Sequence, residues 1–117
     1  LKIIAVTFGY RIFFSYIHGI LISTKTIKVM KTFKDITFKK HRVVEGGLQG
    51  LLMLDSGIEL SVVAGPSLYS LPRAAVKKPS EVSTFEVLAF DTDGEHLGDV
   101  KGWQSREDIN QLIKTLS

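Results

Sequence analysis

The chain has 117 residues, 44% of them hydrophobic and 23% charged, which gives room for one modest core and excludes collagenous, low-complexity and wholly disordered classes. It contains no Cys, so a disulfide framework, a thiolate metal site and a thiol nucleophile are ruled out. Three His at positions 18, 41 and 96 supply too few ligands for a structural zinc site.

The formal net charge of +3 and the isoelectric point near 9.2 invite a nucleic-acid reading, but the charge is unevenly placed. Residues 1–29 hold Lys2, Arg11, Lys25 and Lys28 with no acid and carry +4, whereas residues 30–117 carry −1. Within the latter, residues 30–44 are +4 and residues 45–117 are −5. The basic character therefore belongs to an apolar leader ahead of a near-neutral body.

That leader is rich in Ile, Phe, Tyr and Val and has no clean period. Three readings compete for it. Ile3–Ile22 has about the 20 residues that span a bilayer, against the cost of Arg11 and His18 inside it; a secretory signal is disfavoured because no small-residue exit follows. In the second reading the leader is upstream translation foreign to the protein, since Met30 opens MKTFKDITF and the chain begins with Leu. In the third it is an extra structural element.

From Met30 onward, Ile36-Thr37-Phe38 reads as a short first strand ending near His41-Arg42. Leu48–Leu54 is an apolar run bounded by glycine and too short for a helix. It is followed by Asp55-Ser56-Gly57 and by Ile58–Val62, which alternates with period two. Two apolar runs about a short Gly-containing turn predict a β-hairpin near residues 48–63. Ile58, Leu60 and Val62 are expected to face the core, with Glu59 and Ser61 on the other face.

Residues 64–83 hold all three prolines and the basic residues Arg73, Lys77 and Lys78, which predicts a long loop of the kind that is often functional or mobile. Thr84–Phe90 is a further strand with Phe85, Val87 and Ala89 on one side; Asp91–Glu95 turns the chain, and His96–Val100 is expected to return as an edge strand. Ser105 is a natural N-cap with Glu107 and Asp108 in the first turn. Ile109, Leu112, Ile113 and Leu116 form a helical stripe, so a helix over about 106–116 is predicted. The fold class is α+β: a small antiparallel sheet of about four to five strands covered by one C-terminal helix, forming a single domain over 30–117.

The start MKTFKDITFKKH, the hairpin ending in LSVVAG, the loop Ser67-Leu68-Tyr69-Ser70, FEVLAFDTDGE and the terminal GWQS helix start resemble a group of small accessory proteins from tailed bacteriophages and prophages. The resemblance covers residues 30–117, and Leu71–Pro79 is an addition to that group's loop. It implies an α+β accessory protein in the cytoplasm of a bacterial host, with no catalytic, cofactor or metal residues to carry over.

Asp91-Thr92-Asp93-Gly94 has the look of an aspartate-nucleophile phosphotransferase start, but the chain lacks that family's length and alternation of strand and helix. An EF-hand fails on the position of its glycine and on Gly102 where the bidentate acid belongs. A tight turn is the reading kept. Lys31, Lys34, Lys39, Lys40, His41 and Arg42, with Phe33 and Phe38 interleaved, suggest weak, sequence-blind nucleic-acid binding, set against a solvated edge strand protected by lysine. His41 and His96 are expected on the surface rather than as metal ligands. Trp103 is expected to pack between sheet and helix.

The function expected is therefore non-enzymatic, exerted by binding a host or phage protein, with Leu68, Tyr69 and Arg73 as contact residues. The alternatives are a nucleic-acid binder through Lys34, Lys39, Lys40 and Arg42, and a membrane-associated protein through Ile3–Ile22 if residues 1–29 are translated. No cofactor is expected.

Overall fold

A computed structural model describes residues 10–17, 20–28 and 30–117, with side chains from residue 30 onward. The chain forms two compact units, Leu1–Lys31 and Thr32–Ser117, so the boundary falls just past the Met30 start expected for the body.

In the first unit, β1 (Tyr10–Ile17) and β2 (Ile20–Lys28) pair antiparallel, from Tyr10↔Lys28 to Ile17↔Ile20, with a register shift between Ile12 and Phe14. A helical bilayer span is thus not what the described part of Ile3–Ile22 adopts. Its crowding with β-branched and aromatic residues favours extended backbone, and no described helix is long and apolar enough to cross a membrane. The remainder of that stretch, with His18, lies outside the described residues.

The second unit is an α+β domain in which five strands run in sequence order: β3 (Thr37–Lys40), β4 (Leu48–Met53), β5 (Glu59–Ala64), β6 (Phe85–Phe90) and β7 (Lys101–Gln104). All four pairings are antiparallel. The helix α1 (Arg106–Leu116) follows directly. The hairpin expected near residues 48–63 is β4–β5, with Leu51↔Ser61 near its middle and Gly57 N–H donating to the Leu54 carbonyl at 2.9 Å.

Period-two alternation puts Leu48, Leu52, Leu60, Val62, Ala64, Phe85, Val87 and Ala89 on one face, where they pack with Ile109 and Ile113 of α1. Leu112 and Leu116 flank them, half-buried. Residue 50, on the same face, is glycine where Ile36 and Phe38 occupy the space a side chain would need. The helix begins as its sequence dictates: Ser105 Oγ accepts from Asp108 N–H at 3.1 Å, and Asp108 Oδ2 accepts from Ser105 N–H at 3.0 Å. The Ser105 N–H, and after it the Ser105 hydroxyl, hold the Asp108 carboxyl below the ordinary aspartate range.

One expectation is corrected. The last strand is Lys101–Gln104 rather than His96–Val100, which contributes only an isolated bridge between Phe90 and His96. Gly98 sits at φ 74° and interrupts the return, so pairing resumes only beyond it. A short 3₁₀ helix, Phe33–Asp35, precedes β3; its Phe33 N–H donates to Asn110 Oδ1 at 2.7 Å and so fastens the start of the unit to α1.

Candidate functional site: an exposed aromatic step

Antiparallel pairing sorts the strand connections to opposite ends of the sheet. The connections 41–47 and 65–84 lie at one end; 54–58 and 91–100 lie at the other. Their charges differ: the first pair sums to +2 and the second to −5, with no Lys or Arg in the latter. The deficit seen across residues 45–117 is thus concentrated away from the long proline-containing connection.

That connection is ordered from within. Gly65 sits at φ 145° with Gly47 so close that a Cβ would approach the Gly47 Cα within 2.6 Å, so only glycine fits. Ser70 is fully buried and its Oγ accepts from Gly65 N–H at 3.0 Å. Leu71 bridges Thr84, and Val76 N–H donates to the Gly46 carbonyl at 2.8 Å. Val76 and Val82 enter the core. Arg106 closes the far end, donating to the carbonyls of Val82 at 2.9 Å and Pro79 at 2.7 Å. The expectation of a long loop holds, but its backbone is fastened at intervals along its length.

Held on this scaffold, Tyr69 and Trp103 meet with ring centroids 5.1 Å apart and planes tilted by 43°. Arg73 lies with its guanidinium carbon 5.6 Å from the Tyr69 ring centroid. Tyr69 is 47% exposed, Leu71 49% and Trp103 54%; Arg73 is exposed and Leu68 half-buried. The sequence-expected contacts Leu68, Tyr69 and Arg73 therefore share one connection, but only Tyr69 and Arg73 are exposed.

Trp103 corrects its expectation: it stands outside, not between sheet and helix. Pairing between β6 and β7 shifts register between Phe85 and Val87, and at this bulge Trp103 adopts φ 51°. Its N–H donates to the Tyr69 carbonyl at 2.9 Å, while the missing side chain of Gly102 leaves room for Tyr69 Cβ. A bulky residue at positive φ costs on the order of 1–3 kcal/mol, and such outliers gather at functional sites. Only Gly102 immediately before the tryptophan hinted at this in the sequence.

The other candidates resolve differently. Lys34, Lys39, Lys40 and Arg42 are all exposed. The interleaved Phe33 and Phe38, however, pack on each other at 5.7 Å and on Phe85 at 5.1 and 5.6 Å, with Arg106 over Phe33 at 5.1 Å. They are committed to the core and do not form a stacking platform beside those cations. His41 is a turn acceptor, its Nδ1 taking the N–H groups of Val43 at 3.1 Å and Val44 at 2.9 Å. His96 meets the Phe90 ring edge-on at 5.2 Å. β4 and β5 lie between the strands to which they attach, so the two His are not brought together.

Asp91–Glu95 is the expected turn, with Asp91 Oδ1 accepting from Asp93 N–H and Glu95 N–H, each at 2.9 Å. Among the described residues no group of three acidic or His ligands stands ready for a metal ion. Comparison with protein families, with curated proteins and with solved structures returns no match.

Proposed function

We propose that this chain is a non-enzymatic accessory protein that works by docking another protein against Tyr69, Trp103 and Arg73. The observation that carries this reading is Trp103, a half-exposed indole held at positive φ by a bulge and braced by Tyr69. A large apolar ring is ordinarily buried, and strained backbone persists only where the surroundings over-determine it. Here that strain presents the most favoured anchor residue type of protein interfaces to solvent, flanked by two of the other enriched types, Tyr and Arg. The phage setting and the cytoplasm of a bacterial host, where the partner is a host or phage protein, follow from the resemblance of residues 30–117.

The test is affinity capture from bacterial lysate with the wild-type chain and with Trp103→Ala, each first shown to melt cooperatively. A protein recovered in stoichiometric amount by the wild type and reduced about tenfold or more by the variant supports docking, as truncating an interface anchor typically costs more than 1 kcal/mol. Equal recovery by both overturns it.

A further inference from the structure

The chemistry of the partner is legible in the charge and groove at this end of the sheet, and the inference rests on the docking reading above. We propose that the aromatic end of the sheet receives an acidic peptide segment, its carboxylates on Arg73, Lys77 and Lys40 and an apolar side chain against Tyr69 and Trp103.

Three observations converge. First, the connection 65–84 that carries Tyr69 also carries Arg73, Lys77 and Lys78, all exposed, against Glu81 alone, and the Glu81 carboxylate already accepts from Lys77 N–H at 3.2 Å. Second, the same connection borders a groove of about 590 Å³ lined by Lys40, Glu45, Gly46, Leu48, Val76 and Lys77 among others. Two exposed lysines and one exposed acid meet apolar surface there, a combination suited to a side chain that is part carboxylate and part aliphatic. Third, the five acids of residues 54–58 and 91–100 sit at the far end of the strands. An approaching anionic segment is repelled there and drawn to the aromatic end, so the polarity orients docking as well as strengthening it.

A single-stranded nucleic acid fits less well. The connections at this end together with Lys40 carry only +3 in sum, whereas a phosphate chain draws on several cations at once. The tilt of 43° between the two rings also denies successive bases a common stacking direction.

Trp103 is the sole tryptophan, so its emission reports the site directly. The full chain is titrated with a short peptide of repeated Glu-Glu-Leu, with its Gln-for-Glu and Lys-for-Glu counterparts, and with oligothymidylate. The proposal expects a saturable change in Trp103 emission with the acidic peptide at roughly tenfold or more higher affinity than with the Gln peptide, weakening as salt is raised. The doubly substituted chain Arg73→Gln, Lys77→Gln, which keeps the reporter, loses that preference. Should this variant fail to fold, the salt dependence and the Lys peptide decide on the wild type alone. Equal affinity for acidic and Gln peptides, or tighter binding of oligothymidylate, overturns the proposal. If the acidic peptide leaves the emission unchanged while Trp103→Ala still abolishes lysate capture, the acidic partner is refuted and docking stands. If that variant captures as the wild type does, it is docking that fails.

Discussion

At one end of the five-stranded sheet the connection 65–84 places Ser70, Val76 and Val82 in the interior. At the other, every residue from Thr92 to Val100 is exposed, and the turn rests on the Asp91 carboxylate. Ordering a residue costs about 1–2 kcal/mol of backbone entropy, so a segment this long stays fixed only if it buries apolar groups and satisfies its polar ones. The first connection does both, whereas the second pairs backbone groups around Asp91 but buries none of Thr92 to Val100. The contrast teaches where rigidity has been placed: beneath Tyr69 and Trp103, the residues that meet solvent as rings. A docking surface gains from that, because a preorganised contact avoids the ordering cost at the moment of binding.

The comparison breaks if the buried anchors of the long connection are dispensable. Val82→Ala is expected to destabilise the chain by about 2 kcal/mol, from lost methyl burial and the cavity left behind. Ser70→Ala is expected to cost a similar ~1–3 kcal/mol by leaving the buried Gly65 N–H without an acceptor. Urea denaturation measures both, and hydrogen exchange should show faster opening across 65–84 with 91–100 unchanged.

Asp91→Ala probes the opposite end. It removes the acceptor of two N–H groups in an exposed turn that water can solvate instead, so a smaller loss of ~0.5–1 kcal/mol is expected, with amide protection lost near Glu95 and retained near Leu71.

The smallest effect concerns the helix start that follows β7. The Asp108 carboxyl is held below its unfolded value by its bonds to Ser105. It therefore contributes stability that is present above the unfolded pKa, near pH 4, and is lost as pH falls through the lower folded one. Asp108→Asn should flatten that part of the acid limb, measured as the urea midpoint between about pH 5 and pH 2.

How far the sequence discloses this molecule follows the range of the forces involved. The β4–β5 hairpin and α1 rest on local signals: alternation in Ile58–Val62, the Gly57 turn, the Ser105 cap and the stripe through Ile109 and Ile113. Each of these appears where expected. The alternation of Phe85, Val87 and Ala89 likewise gives the buried face of β6.

What stayed hidden is set by contacts distant in the chain. Phe33 and Phe38 sit among lysines and read as surface residues until Phe85, some fifty positions on, is brought against them. The position of β7 depends on a bulge at which Trp103 N–H donates to the Tyr69 carbonyl, joining a residue of β7 to one of the connection 65–84. For the same reason the sequence points Trp103 to the interior and does not disclose that it stands exposed beside Tyr69.

The claim on which the account turns is that Trp103 is placed for a partner at the expense of its own backbone. Trp103→Gly and Trp103→Ala, compared by thermal unfolding and by capture, test it most directly. Glycine relieves the positive φ that alanine retains, so the glycine variant should be the more stable of the two by about 1 kcal/mol, while both lose the partner. A glycine variant that is no more stable than the alanine one, or that still holds the partner as tightly as the wild type, would contradict it.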